Sequence, residues 1–353
     1  MEAMLPFLET FYANPSSLYR AGRVVRSALD IARGQVAELV NVKPSQVIFT
    51  SGGTEANNLA IKGLPTTQNI AVSAIEHPSV LQTAFSLKNI NKHGVAEIPV
   101  DSDGLVEMGA VENQVKNGVE LVSIMLANNE TGVIQNIEKI SDFLKQHQVK
   151  IHTDAVQAIG KIPTDFNKTG VHMMSLSSHK IYGPKGCGAL IIEDGLVLQP
   201  LLSGGGQEFG LRGGTENVAA IIGFGFAAEI ARNSLQEKHE KLLNLRDYLE
   251  SELHTIPGIR IFSEHQKRLP NTVQFGLPET DGEMLLMQLD KKGIAVSSGS
   301  ACASGGGKAS HVLKAMGVDE SLAKSAIRIS LGYKNTEDEI DILITNLKSM
   351  IIK

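Results

Sequence analysis

The sequence predicts an α/β fold, with a mainly parallel central sheet, helices on both of its faces and a smaller α+β domain at the C-terminal end. Short apolar segments alternate with amphipathic helical patterns through roughly the first two thirds of the chain, which is typical of a parallel sheet. From about Asn233 the pattern changes to a charged helix followed by a strand and further helices. A chain of 353 residues is long enough for two domains.

Six short apolar segments are predicted as buried strands of the central sheet. They are residues 46–50, 69–75, 120–127, 149–154, 173–178 and 188–192. Apolar residues at helical spacing, from Val25 through Leu29 and Ala32 to Val36, predict a helix before the first strand. The longest apolar stretch, residues 218–228, is too short to span a bilayer and is predicted as a buried helix.

The C-terminal part carries its own pattern of elements. We expect an amphipathic helix over residues 234–254, a strand over 271–276, a helix over 281–292 and a closing helix beyond residue 336. The predicted boundaries are therefore 12–232 for the large domain, with 1–11 and 233–353 together forming the small domain.

Composition excludes several classes of function. The formal net charge is -5 and no basic run occurs, which disfavours nucleic acid and membrane surfaces as partners. The chain has only two cysteines, Cys187 and Cys302, so a disulfide scaffold and a cysteine-rich metal site are not expected. The start of the chain has no signal-peptide pattern, and a cytoplasmic location is expected.

Two polar residues at strand ends point to a cofactor. Asp154 ends one predicted strand, and Lys180 follows another. Ligands of such sheets bind at the carboxyl ends of the strands. A lysine that forms a Schiff base and an aspartate that keeps a pyridine nitrogen protonated are what pyridoxal 5'-phosphate requires. Taken alone, Asp154 could equally be a helix N-cap, with Gln157 one turn beyond it.

A phosphate group would need an anion site, and the turn at residues 51–54 predicts one. Gly53 and Thr54 lie between a predicted strand and a helix, where main-chain N–H groups can approach an anion. A well-capped turn without a ligand explains the same residues. His77 and Asn129 also follow predicted strands, and each by itself is more typical of a loop or turn residue.

The two cysteines are predicted to differ. Small residues surround Cys302, and Gly305, Gly306 and Gly307 follow it, so we expect a flexible loop that presents an accessible thiol. The alternative is that Cys302 is a small buried hydrophobic residue. Cys187 enters an apolar strand and is expected in the core.

Nine motifs together resemble the cysteine desulfurases of the NifS/IscS type, which are fold-type I pyridoxal-phosphate enzymes. In order they are ANPSSLYRAG, TSGGTEANNLAIKG, EHPSV, NNETGVIQ, HTDAVQ, SLSSHKIYGPKG, GGGQEFGLRGGTENV, SSGSACASG and IRISLG. They extend from Asn14 to Gly332, and the lysine and cysteine motifs are specific as a pair.

The resemblance implies how the cofactor is held. Lys180 corresponds to the Schiff-base lysine and Asp154 to the partner of the pyridine nitrogen. Gln157 and Asn129 correspond to residues near the phenolic oxygen of the cofactor. His77 corresponds to a histidine that stacks on the ring and is proposed as an acid or base.

The resemblance also implies contacts to the cofactor phosphate and to the substrate. The implied phosphate ligands are Thr54, Ser177, His179 and, from the second subunit of a homodimer, Thr215. The implied substrate ligands are Arg328, which would bind the carboxylate, and Asn14 and Asn129. Cys302 corresponds to the cysteine that becomes a persulfide.

The implied activity is conversion of L-cysteine to L-alanine, with sulfur passed through a Cys302 persulfide to an acceptor. The acceptor would be a protein such as an iron–sulfur scaffold, or a relay for tRNA thiolation. The alternatives are a selenocysteine lyase, an aminotransferase or other fold-type I enzyme, and an idle homologue that serves as an interaction subunit. A dinucleotide-binding protein is disfavoured because no strand is followed by GxGxxG.

Two departures from the resemblance stand out. The chain starts where the first helix of relatives is already under way, so we expect an N-terminal strand to be missing, at a cost to stability or activity. Phe209 stands where relatives commonly carry arginine, which is expected to alter partner contacts more than chemistry.

Overall fold

The computed structural model describes residues 1–65, 67–91, 94–298 and 309–351. Its larger sheet has seven strands in the order β1-β7-β6-β5-β4-β2-β3. These strands are β1 (Val47–Thr50), β2 (Asn69–Ser73), β3 (Gly94–Ile98), β4 (Leu121–Ser123), β5 (Lys150–Asp154), β6 (Met173–Ser177) and β7 (Gly188–Ile192). Strands β2 to β6 pair in parallel, whereas β7 runs antiparallel to both β6 and β1. The predicted mainly parallel sheet is confirmed.

Thirteen α-helices surround the two sheets of the described chain. They are α1 (Leu5–Glu9), α2 (Arg20–Leu39), α3 (Gly53–Lys62), α4 (Pro78–Asn91), α5 (Met108–Lys116), α6 (Ile137–Gln146), α7 (Phe166–Thr169), α8 (Val218–Asn233), α9 (Leu235–Leu253), α10 (Gly282–Asp290), α11 (His311–Ala315), α12 (Glu320–Lys324) and α13 (Glu337–Ile351). Alternate strand residues enter two separate apolar clusters, so helices cover both faces of the larger sheet. On β1, Val47 and Phe49 join one cluster and Ile48 joins the other.

Helix α8 is the buried helix that its apolar sequence predicted. It packs along α2, and a Cβ at Gly225 would lie 2.6 Å from the Ala32 Cα, so only glycine permits this approach. Among the helices of the described residues, none is both long and apolar enough to cross a membrane alone. Helices α8 and α9 reach that length and composition only as a pair bent by 71°.

The smaller sheet has four antiparallel strands in the order β10-β11-β9-β8. They are β8 (Arg260–Ile261), β9 (Thr272–Gly276), β10 (Ser297–Ser298) and β11 (Ile327–Ser330). Helices α9, α10 and α13 bury their apolar residues with β9 and β11 in a separate core cluster. Another apolar cluster, including Ile75, Met125, Phe262 and Leu313, joins loops of the larger sheet to the C-terminal part.

The division into domains at 12–232 and 233–353 remains our proposal. Residues 1–11 were expected with the small domain, yet α1 contacts α8 of the larger unit. At that contact a Cβ on Gly223 would lie 2.7 Å from the Met4 sulfur, which shows how closely the two helices approach.

A buried ion pair lies beside the first strand. Arg33 of α2 donates two hydrogen bonds to the Glu208 carboxylate, at 2.7 and 2.6 Å, and a third to the Val47 carbonyl at 2.6 Å. Glu208 also accepts from the main-chain N–H of Phe49 at 2.8 Å. The ring of Phe209 lies over the Arg33 guanidinium at 5.2 Å, so this departure from the resemblance contributes a packing contact.

Replacing Arg33 by methionine is expected to lower the free energy of unfolding by about 3–5 kcal/mol, because Glu208 would stay buried without its partner. Urea denaturation followed by circular dichroism measures this loss. Lys43→Met is the matched control, since Lys43 and Asp194 form an exposed pair that contributes at most about 1 kcal/mol. Equal losses in both variants would contradict the expectation.

Candidate active site

A cavity of about 250 Å³ lies where several strands of the larger sheet end, and β11 of the smaller sheet contributes to its wall. It is lined by Gly53, Thr54, Asn57, His77, Ser79, Met125, Asn129, Asp154, Val156, Gln157, Ser177, His179, Lys180 and Arg328. At least one of these residues follows each of five strands of the larger sheet, which are β1, β2, β4, β5 and β6. The cavity therefore has the position that an α/β sheet offers to a ligand.

This cavity gathers the residues expected at the site, except for Asn14, Thr215 and Cys302. Asn14 is exposed, and its Oδ1 accepts a hydrogen bond from the Ser16 main chain at 2.8 Å. Thr215 is exposed on the segment that precedes α8 and does not line the cavity. Cys302 lies outside the described residues.

Asp154 is a buried carboxylate at the carboxyl end of β5. Its two oxygens accept hydrogen bonds from Nδ2 of Asn57 at 2.7 Å and from the main-chain N–H of Val156 at 2.9 Å. Burial raises its pKa, against the effects of these hydrogen bonds and of nearby His77 and Lys180. Among the described elements no helix follows directly, so Asp154 caps a turn and not a helix N-terminus. A cation entering the cavity would stabilise its ionised form.

Asn57 and Ser79 link Asp154 to His77. Nδ2 of Asn57 also donates to the Ser79 hydroxyl at 2.8 Å, and that hydroxyl lies 2.7 Å from Nδ1 of His77. The Ser79 main-chain N–H donates to the same Nδ1 at 3.1 Å. Burial lowers the pKa of His77, so the ring is neutral near pH 7 and carries its proton on Nε2. Asn57 and Ser79 were not predicted as site residues, because neither stands at a strand end.

Lys180 lies in a short 3-10 turn, residues Ser178–Ile181, that follows β6 directly. The turn ends at Tyr182, whose φ of 64° is left-handed. A Cβ on the next residue, Gly183, would lie 2.2 Å from the Ser178 hydroxyl, so the chain requires glycine here. The 3-10 turn and its left-handed end place the Lys180 side chain at the cavity. The close contact with Ser178 explains why position 183 is a glycine.

The expected anion turn at residues 51–54 connects a strand to a helix as the sequence predicted, and anion binding there stays a prediction. Helix α3 begins at Gly53, immediately after β1 and its turn. A Cβ on Gly53 would lie 2.8 Å from the Val156 side chain, so glycine permits close packing here. Ser177 lies at the end of β6, and its hydroxyl is 2.9 Å from Nδ1 of His179. Together these groups offer hydroxyl, imidazole and helix N-terminal N–H donors on one side of the cavity.

Arg328 enters the cavity wall from the smaller sheet. Its Nη1 donates to the main-chain carbonyl of Asn129 at 3.0 Å. Within the described part of the chain, Nε of Arg328 and Oδ1 of Asn129 are buried and have no hydrogen-bond partner. Buried polar groups are normally satisfied, so these two are available to a polar ligand.

The donor set fits pyridoxal 5'-phosphate. A phosphate would meet the anion turn and the Ser177 and His179 side chains, and a protonated pyridine would meet Asp154. The amine of Lys180 lines the same cavity and can react with an aldehyde. In the described ranges no group of three or more His, Cys, Asp or Glu side chains is arranged to hold a metal ion.

Comparisons with known proteins agree with this geometry. The model of the aminotransferase class-V family matches residues 1–343. A cysteine desulfurase IscS of Dictyoglomus turgidum is 40% identical, over 100% of this chain and 91% of the relative. A NifS-like protein from Rickettsia africae has a TM-score of 0.91 at 36% identity, covering 99% of this chain and 94% of that one. A structure described as SspA in complex with cysteine has a TM-score of 0.82 at 33% identity and covers 95% of each chain.

These matches span both sheets and the cavity between them, and they confirm the resemblance and the fold class that the motifs predicted. The chain therefore belongs to the cysteine desulfurase family of class-V aminotransferases, whose enzymes use pyridoxal 5'-phosphate.

Proposed function

We propose that this protein is a pyridoxal-phosphate-dependent cysteine desulfurase, which converts L-cysteine to L-alanine and transfers the sulfur to its own Cys302. The observation that carries the proposal is the cavity that gathers Lys180, Asp154, His77 and Arg328 around one ligand-sized space. The lysine can capture an aldehyde covalently, and the buried carboxylate can keep a ring nitrogen protonated. The neutral imidazole can transfer a proton, and the guanidinium can bind a carboxylate.

Each of these residues has a role that follows from its contacts. When bound, the cofactor supplies an electron sink for the bond-breaking at the substrate Cα. Lys180 would hold it covalently, and Asp154, oriented by Asn57, would keep its ring nitrogen protonated. Gly53 and Thr54 would bind its phosphate, with Ser177 and His179.

Arg328 and His77 would act on the substrate. Nε of Arg328 is buried without a partner among the described residues, and it would donate to the L-cysteine carboxylate, with Asn129 nearby. His77 has Nδ1 held by the Ser79 main chain, so Nε2 is the atom that would deliver or hold a proton. The amine of Lys180 lines the same cavity and would be a second candidate base at the substrate Cα.

Cys302 is the residue proposed to accept the sulfur of the substrate. The chain has two cysteines, and Cys187 is 1% exposed next to β7. Burial raises the pKa of the Cys187 thiol to about 12, so it is not a thiolate at neutral pH. The Cys302 thiolate would attack the substrate sulfur: the S–S bond forms, the Cβ–S bond breaks, and a proton completes the methyl group of alanine. The sulfur is thereby carried as a persulfide.

The proposal extends to partners and location. We propose a homodimer in which Thr215 serves the site of the partner subunit, because Thr215 is exposed and outside the cavity of its own chain. The persulfide would be passed to an acceptor protein such as an iron–sulfur scaffold. Asn14, which is exposed and does not line the cavity of its own chain, would approach the substrate. A free Cys187 is compatible with a reducing cytoplasm.

Product analysis tests the proposed function. The protein reconstituted with pyridoxal 5'-phosphate is incubated with L-cysteine or, in a parallel reaction, with L-selenocysteine, each with dithiothreitol. Alanine, sulfide, selenide and keto acids are quantified. We expect alanine and sulfide in equal amounts. A keto acid product would indicate another enzyme of the family, absence of product an idle homologue, and a strong preference for L-selenocysteine a selenocysteine lyase. Each of these three outcomes would overturn the proposal.

A further inference from the structure

Lys161 lies on the turn that follows β5 and contacts a residue of the cavity wall. Its Nζ donates to the main-chain carbonyl of Gln157 at 2.7 Å and to Oε1 of the same residue at 3.1 Å. Gln157 lines the cavity, whereas Lys161 does not. Lys161 therefore acts on the cavity only through Gln157 and through its charge.

The ammonium of Lys161 is held at a cost to stability. Burial, together with the nearby charges of Lys180 and Arg328, lowers its pKa to about 7. No salt bridge found within the described ranges includes Lys161. Because the pKa in the folded state lies below the ordinary value, folding loses stability as the pH falls from about 10.5 towards 7. A contribution to packing alone would not require an amine here.

The contact determines which way the Gln157 amide points. In its protonated form, which predominates below about pH 7, the Lys161 ammonium has three donors and no acceptor, so the amide atom that faces it must be the oxygen. The amide nitrogen, Nε2, then faces away from Lys161. Within the described residues Nε2 has no hydrogen-bond partner, so its N–H groups remain available to a ligand of the cavity.

We propose that Lys161 is a positioning residue that holds the Gln157 amide with its N–H donors available to an oxyanion of the bound ligand. This inference rests on the proposed function, in which that oxyanion is the phenolate oxygen of pyridoxal 5'-phosphate. Without Lys161 the amide can rotate by 180° and present Oε1 to the phenolate, which is repulsive.

A double-mutant cycle tests this positioning role. The four proteins are wild type, Lys161→Met, Gln157→Ala and the double variant, and the readout is the dissociation constant of pyridoxal 5'-phosphate from an absorbance titration without substrate. Lys161→Met is expected to raise the dissociation constant about tenfold, which is the loss in affinity expected when about one hydrogen bond is removed. In the Gln157→Ala background the same change is expected to weaken binding by less than about twofold, because the residue through which Lys161 acts is absent.

Two further measurements separate positioning from a structural role. Urea denaturation of the apo proteins is expected to give Lys161→Met at least the stability of wild type, because a partly buried ammonium with an unfavourable, lowered pKa has been removed. The absorption spectrum of the bound cofactor is expected to change in Lys161→Met and to stay unchanged in Lys168→Met, an exposed lysine of α7. Lys161→Leu replaces Lys161→Met if the latter does not fold.

The outcomes distinguish this inference from the proposed function. Two outcomes would overturn the positioning role alone. One is that the losses in affinity of the two single variants multiply in the double variant. The other is that Lys161→Met keeps the affinity and the spectrum of wild type. A wild-type protein that does not bind pyridoxal 5'-phosphate would overturn the proposed function together with this inference.

Discussion

Replacing Lys180 by alanine is expected to reduce desulfuration of L-cysteine by at least about a thousandfold, because covalent capture of the cofactor and a candidate base are lost together. The visible absorbance of the protein-linked cofactor is expected to disappear. The 3-10 turn and the left-handed Tyr182 are built by the main chain, so the variant is expected to fold.

Lys185→Ala is the matched control for this experiment. Lys185 is an exposed lysine of the same segment and does not line the cavity. It is expected to keep the absorbance and the rate of wild type. Retention of the protein-linked absorbance in Lys180→Ala would assign the covalent attachment to another amine.

Cys302→Ser is expected to abolish sulfide release from L-cysteine, with a loss of at least about a thousandfold, because a serine hydroxyl is not ionised at neutral pH and cannot take up the sulfur. Cofactor binding is expected to be unchanged, since Lys180, Asp154 and the anion turn remain. Sulfide is measured after addition of L-cysteine, and the protein mass is measured for an added sulfur atom.

Cys187→Ala is the control for this variant. Cys187 is buried against the larger sheet, so its loss is expected to cost about 1 kcal/mol of stability and to leave the rate unchanged. Sulfide release by Cys302→Ser at the wild-type rate would show that Cys302 does not accept the sulfur.

The two residues proposed to hold the cofactor, Asp154 and Lys180, were predictable because they lie at the ends of predicted strands. Asp154 is the last residue of β5 and Lys180 lies in the turn that follows β6, and the carboxyl ends of neighbouring parallel strands meet at one edge of a sheet. Asn57 and Lys161 were not predicted. Asn57 lies inside helix α3 and Lys161 inside a turn, and sequence spacing does not reveal which side chain of such a segment turns towards the site.

Other misses have physical causes in the sheet itself. Strand β3 was not predicted, because it is a partly exposed edge strand with few large apolar residues. The direction of β7 was not predictable, because the alternation of side chains is the same in parallel and antiparallel strands. A helix after Asp154 was the alternative explanation of this residue, but the segment forms a turn, in which Gly160 adopts a left-handed φ of 68°.

The sequence by itself determined the fold class, the cofactor and most of the cavity residues, because apolar periodicity and the order of the motifs are local properties of the chain. Only the tertiary structure decided which tautomer His77 adopts, which way the Gln157 amide points and how strongly burial raises the pKa of the Cys187 thiol. Burial, hydrogen-bond direction and desolvation depend on neighbours that are distant along the chain, and folding brings those neighbours together.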